Sequence, residues 1–143
     1  MDKKITLKYP SNLVCDIHVG EHRLITDYPV KRGGYNVAIS PWEVFLSSII
    51  ACQGVNLAKY CKEHQLDYRE IELELVPIVS DTRRDPNPEY QIRIDIPETF
   101  PSEHINEMVR FFSDCPVVNH LTKLNPILST YINGELVIKN ERE

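Results

Sequence analysis

The stretch that decides the fold is SPWEVFLSSIIACQGVN, residues 40–56. Ser40 is a favourable N-cap, Pro41 suits the first helical position, and Glu43 stands where the acid of a capping box belongs. These three signals agree with one another. They predict a helix that begins after Ser40 and runs to about His64.

The same helix changes character along its length. Residues 44–51 are apolar on nearly every face, which is typical of a helix buried on all sides. Residues 59–63 are mostly polar, so the second half is predicted to emerge into solvent. A sheet covers only one side of such a helix. A second helix or a second subunit must therefore cover the rest, and we expect a homodimer.

Outward from this helix, alternating apolar and polar residues predict strands on both sides. Gly20-Glu21 and Asn133-Gly134 are two-residue hairpin turns. Strands are predicted at 5–9, 12–19, from 22, 71–80, 90–96, 130–132 and 135–138, and further helices at 102–112 and from 116 to 121. This order predicts an α+β fold.

Composition limits the function. The chain has 143 residues, which fits a single domain over 1–143, with a net charge of −5 and a pI near 5.5. An acidic chain lacks the basic face of a nucleic-acid binder. No stretch is expected to cross a membrane, and the first residues lack the apolar segment of a signal peptide. The expected compartment is the cytoplasm, where four cysteines are not expected to form two static disulfides.

The cysteine with the most informative surroundings is Cys52. Ser48 and Asn56 lie one turn before and after it and share its face, so a polar stripe crosses an otherwise apolar helix. A small core cysteine is the simpler interpretation of such a residue. Cys61 lies half a turn out of phase with Cys52, about 13 Å along the axis, among polar residues, and is predicted to be a bystander.

Cys115 precedes Pro116, which makes it a candidate helix N-cap where free N–H groups favour a thiolate. The alternative, equally open from local sequence, is that Ser113 or Asp114 caps the helix and Cys115 only packs.

The spacing of Cys15, His18 and His22 resembles a metal motif. Residues three apart on a strand point to opposite faces, so this cluster is not expected to hold zinc. The sequence predicts no metal and no cofactor.

Two segments together resemble the OsmC/Ohr family. Residues 40–52 are similar to its central helix, with a proline entry and Ala-Cys near the middle, and residues 114–121, DCPVVNHL, are similar to its second cysteine motif. The resemblance covers nearly the whole chain. It implies antiparallel sheets wrapped around central buried helices in an intertwined dimer, with active sites at the subunit interface.

The resemblance also implies a peroxidase in which Cys52 attacks the peroxide and Cys115 resolves the product as a disulfide. The substrate would be an organic hydroperoxide, and an external dithiol would be the reductant. Apolar side chains in the wall of the active-site pocket would favour an organic hydroperoxide over hydrogen peroxide. The expected wall residues are Phe45, Ile49, Phe111 and Phe112.

One part of the family pattern differs. The acid that follows the entry proline in the best-known members is replaced by Trp42, and Glu43 is expected to serve the cap. Their activating arginine has no clear counterpart, so Arg32 and Arg23 are the candidate cations. The chain thus resembles the divergent OsmC-like branch. The alternative function is a dimer that binds an apolar small molecule or senses redox state without efficient turnover.

Overall fold

A computed structural model describes residues 4–78, 86–124 and 126–140, with the side chains of all of these except residues 112 and 113. Two short 3-10 helices, Val30–Arg32 and Ser102–His104, lie between the main elements. The main elements are β1 Ile5–Lys8, β2 Cys15–Val19, β3 His22–Thr26, α1 Pro41–Glu63, β4 Glu72–Pro77, β5 Tyr90–Asp95, α2 Ile105–Ser113, α3 Pro116–Thr122, β6 Ser129–Ile132 and β7 Glu135–Lys139.

The strands form three small sheets. β1, β2 and β3 pair in that order as antiparallel neighbours. β4 pairs with β5, and β6 pairs antiparallel with β7. Gly20, Asn133 and Gly134 take positive φ in the turns of the first and last sheets, as their two-residue hairpins require. The α+β class with antiparallel sheets is confirmed.

Both ends of α1 follow from local chemistry. The Glu43 N–H donates to Ser40 Oγ at 3.3 Å, and the Ser40 N–H donates back to Glu43 Oε1 at 3.3 Å, which is a capping box. At the other end Gln65 has φ 52°, and the Leu66 N–H donates to the Cys61 carbonyl at 2.8 Å. This is a Schellman-type ending, in which a left-handed residue lets the chain turn away.

The chain divides into two compact units, residues 1–48 with 75–91 and residues 49–74 with 92–143. The expectation of a single domain stays a prediction.

The main core lies in the second unit, and α1 contributes to it with its second half. Its buried members are Leu57, Tyr60, Cys61, Phe100 and Met108. The burial along α1 is therefore the reverse of the predicted order. Leu57, Tyr60 and Cys61 recur at helical spacing and face the core, while the intervening charged residues point away. Residues 44–46, predicted to be buried, are half-buried, and Val55 is 55% exposed.

Cys61 is wholly buried, with its sulfur 3.7 Å from that of Met108, and burial raises the pKa of its thiol. It is thus an inert core residue and does not lie at a solvated helix end. The Tyr60 hydroxyl reaches His104 Nδ1 at 2.8 Å. Burial, together with a hydrogen bond to Glu107, raises the pKa of Tyr60, so its hydroxyl keeps its proton.

By length and apolar composition, α1 could also cross a membrane, so the expectation that no stretch qualifies is wrong on that criterion. One such helix is weak evidence, because the core helix of a soluble protein meets the same test. Leu57 and Tyr60 of α1 pack into a protein core.

In the first unit, the loop before α1 folds around a buried carboxylate. Asp27 accepts backbone N–H bonds from Tyr28 at 2.7 Å, Tyr35 at 3.0 Å and Val37 at 3.2 Å. Gly34 lies against the same group: a Cβ there would stand 1.9 Å from the Tyr28 carbonyl oxygen and 2.8 Å from Asp27 Oδ1. The carboxylate thus holds the loop closed, and the loop leaves no room for a side chain at residue 34.

This carboxylate makes stability depend on acid. Burial alone raises the pKa of Asp27, but the surrounding backbone N–H groups outweigh burial and hold its pKa below the usual 3.8. A lowered folded-state pKa contributes stability that is fully present above about pH 4 and is lost as pH falls through the folded pKa. We expect the urea midpoint to fall between pH 5 and pH 3, and to fall less in Asp27→Asn. An equal fall in both proteins would contradict this.

Candidate active site

The second unit brings Cys52 and Cys115 together. The Cys52 thiol lies close enough to the Cys115 thiol to raise its pKa, although 63 positions separate the two residues in the sequence. Both cysteines are free. Cys115 is fully buried and Cys52 is half-buried, so Cys52 is the more accessible member of the pair.

Cys115 is the N-cap of α3. Its backbone is extended (φ −122°, ψ 145°), Pro116 occupies the first helical position, and its sulfur accepts the Val118 N–H at 3.3 Å. The alternative that Asp114 caps this helix is wrong, because Asp114 Oδ1 accepts instead from the Asn119 side-chain amide at 2.9 Å. The cap fixes the Cys115 sulfur at the start of α3.

The titration of Cys115 follows from these contacts. Burial raises the pKa of its thiol, the Val118 N–H lowers it, and the neighbouring Cys52 raises it through both a hydrogen bond and charge. The net direction is upward. Cys115 therefore keeps its proton to a higher pH than an ordinary thiol and can donate a hydrogen bond to a Cys52 thiolate.

Asn56 connects α1 to the segment that carries Cys115. Its side-chain amide donates to the Asp114 carbonyl at 3.3 Å. Asn56 lies one helical turn after Cys52, and Asp114 immediately precedes Cys115. Asn56 and Asp114 also border an open cavity of about 440 Å³. The cavity is lined by Asn56, Lys59, Glu107, Arg110, Phe111 and Asp114.

The other expected pocket residues divide by position. Phe111 lines this cavity and packs its ring against Tyr60 with centroids 5.8 Å apart. Ile49 is buried. The Ser48 hydroxyl donates to the Phe45 carbonyl at 2.6 Å and is thus used within its own helix. The side chain of residue 112 lies outside the described part of the chain.

Phe45 and Arg32 belong to the first unit. The Phe45 ring lies 5.2 Å from that of Trp42. Arg32 lines a cavity of about 260 Å³ together with Trp42, Glu43, Ser40 and Lys31. Glu43 is engaged in the helix cap, as expected from the sequence.

The structure argues against Arg23 as the activating cation. Its Nε and Nη2 atoms donate to the two oxygens of Asp16 at 2.7 and 3.0 Å, and this arginine holds the pKa of Asp16 below its usual range. Its charge is thus already paired across the β2–β3 hairpin. Arg110, in the cavity that Asn56 and Asp114 border, was missed by the sequence reasoning. Its place five residues before Cys115 was the available signal.

Comparison with known proteins agrees with the geometry. A family model described as OsmC-like protein matches residues 33–129, which include both thiols of the pair and more than half of the chain. None of the curated proteins compared with the chain matches it.

Among solved structures, the chain is similar to a protein from Psychrobacter arcticus 273-4 described as an osmotic stress induced and detoxification response protein. The TM-score is 0.67 at 18% identity, over 83% of this chain and 88% of that one. At this identity the likeness shows the fold.

Proposed function

This chain belongs to the OsmC-like protein family, and from that premise we propose that it is a thiol peroxidase of oxidative-stress defence that reduces organic hydroperoxides. The proximity of the Cys52 thiol to the Cys115 thiol supports the proposal, because a peroxidase of this kind needs two cysteines that can form a disulfide. The detoxification role in the description of the Psychrobacter protein is consistent with it. We place the reaction in the cytoplasm, where dithiol reductants are available.

The roles of the two thiols follow from how exposed each one is and from whether it keeps its proton. The half-buried Cys52, as thiolate, attacks the distal oxygen of the hydroperoxide, and the O–O bond breaks. The leaving alkoxide takes a proton and departs as an alcohol, which leaves Cys52 as a sulfenic acid. The Cys115 sulfur then attacks Cys52, and its proton leaves with the hydroxyl as water. An external dithiol reduces the resulting disulfide and is itself oxidised.

A buried thiolate needs a cation or N–H donors nearby. Arg110 is the strongest candidate, since it lines the cavity that adjoins both cysteine segments and forms no ion pair among the described residues. Arg32 remains a second candidate. Phe111, 41% exposed, gives the cavity an apolar wall for an organic substituent.

A homodimer is part of the proposal. The β6–β7 hairpin leaves Tyr131, Ile132, Leu136, Val137 and Ile138 between 54 and 63% exposed, and Val55 is exposed on the apolar part of α1. Apolar surface of this extent is typical of a protein interface. A second copy of the chain would cover this surface.

A second candidate function is binding of an apolar small molecule or redox sensing. It is favoured by the engagement of Glu43 in the cap and of Arg23 with Asp16, which leaves neither residue available to activate Cys52. The two functions differ in the rate at which Cys52 reacts with iodoacetamide near neutral pH. A catalytic thiolate alkylates quickly, and an inert thiol does not.

The test is the product of a single turnover. One equivalent of cumene hydroperoxide should convert the reduced protein to a form 2 Da lighter, and peptide mapping should find Cys52 joined to Cys115. Addition of dithiothreitol should restore the reduced mass and allow repeated turnover. Peroxide left unconsumed, or a disulfide that involves Cys15 or Cys61, would refute the assignment.

A further inference from the structure

Three potential metal ligands meet in the second unit, away from any motif that the sequence singled out. One ligand atom from each of His64, His104 and Glu107 lies within 4.8 Å of the other two. His64 follows the last turn of α1. His104 and Glu107 are three positions apart at the start of α2, so they share one face.

One buried residue orients both imidazoles. The His64 ring stacks on the Tyr60 ring with centroids 4.1 Å apart, and its Nδ1 lies 2.9 Å from the Tyr60 carbonyl oxygen. A carbonyl only accepts, so His64 Nδ1 carries the proton. Its Nε2 is then left with a free lone pair.

The Tyr60 hydroxyl holds the second imidazole. It lies 2.8 Å from His104 Nδ1 and forms a hydrogen bond with it. Because Nδ1 is engaged by the hydroxyl, Nε2 is the ring nitrogen of His104 that is left to bind a metal. Ligating histidines in proteins are held in this way, with the second ring nitrogen donating to a carbonyl or another oxygen.

We infer that His64, His104 and Glu107 bind one divalent transition-metal ion of the zinc class, with Tyr60 as the residue that orients both histidines. Two imidazoles and one carboxylate are a ligand set that zinc accepts, and three protein ligands leave a coordination position open. Bonds of about 2.1 Å place tetrahedral donors about 3.4 Å apart. The separations between the ligand atoms are at most 4.8 Å, and rotation of the side chains would close them to that value.

The proposed metal site shares no residue with the thiol pair, but one of its ligands lines the cavity described above. Glu107 lines the 440 Å³ cavity with Asn56 and Arg110. Tyr60 is only 1% exposed and belongs to the core, so the orienting group is rigid. The inference does not depend on the peroxidase proposal, because no thiol is a ligand.

The experiment is a zinc titration of the protein by calorimetry, in a background where Cys52 and Cys115 are both serine so that this thiol pair cannot bind the metal. One Zn²⁺ per chain is expected. Glu107→Gln, at an exposed position where folding is undisturbed, should lower the affinity ten- to a hundredfold. His104→Ala should lower it at least as much.

His120→Ala is the matched control. His120 Nδ1 bonds to the carbonyl four residues earlier, at 2.8 Å, as His64 does, but His120 is not part of the ligand cluster. Its replacement should leave the affinity unchanged. Absence of zinc binding in the background protein, or equal affinity in Glu107→Gln and the background protein, would overturn the inference.

Discussion

Cys52→Ser is expected to abolish dithiol-dependent turnover of cumene hydroperoxide, with a loss of at least about a hundredfold, because a serine hydroxyl is not ionised near neutral pH. The assay is peroxide consumption at pH 7 with excess dithiothreitol. Cys115→Ser should behave differently: without dithiothreitol it should consume one equivalent and stop at a sulfenic acid that dimedone traps, since the nucleophile remains and the resolving thiol is lost.

Cys15→Ser is the matched control, because Cys15 is also half-buried but lies on a strand of the first unit. It should turn over at the wild-type rate. Arg110→Gln tests in the same assay whether Arg110 is the cation that activates Cys52. It should slow the first step without abolishing it, whereas Arg23→Gln should leave the rate of that step unchanged. Turnover retained in Cys52→Ser would remove the peroxidase proposal and leave the fold and the family.

The second large effect concerns stability. Gly34→Ala is expected to lower the free energy of unfolding by about 3 kcal/mol, at the upper end for overpacking, since the new Cβ would lie 1.9 Å from a backbone carbonyl oxygen. No rotamer change relieves an overlap with backbone. The loop must instead open and weaken the bonds to the Asp27 carboxylate. Urea unfolding followed by circular dichroism measures the change.

Gly54→Ala provides the comparison within one chain. A Cβ at residue 54 meets no atom within 4 Å, and the position is inside α1. Alanine there should raise stability by up to about 1 kcal/mol through helix propensity. Equal effects of the two substitutions on stability would show that the Tyr28 carbonyl does not exclude a side chain at residue 34.

The elements could be predicted from sequence because their signals are local. The capping residues of α1, the Gly20 turn and the Asn133-Gly134 turn each set the backbone within a few residues. The N-cap role of Cys115 was open, because Asp114 is an equally good cap by type. The bond from the Val118 N–H to the Cys115 sulfur, together with that between Asp114 and Asn119, decides it.

What sequence reasoning missed depends on contacts between distant segments. Cys61 has charged neighbours in sequence but packs against Met108, 47 positions away. Arg23 could not be excluded as a cation until its ion pair with Asp16 was seen. Nothing local in the sequence shows that Tyr60 contacts both His64 and His104.

The cap of α3 gives the redox cycle a mechanical consequence. The sulfur that accepts the Val118 N–H is the one that would enter the disulfide, and an S–S bond of about 2.05 Å would draw it towards Cys52 and away from that N–H. Oxidation would therefore loosen the first turn of this helix and fray the segment that buries Cys115. Formation of the disulfide would thus make it more accessible to the reductant.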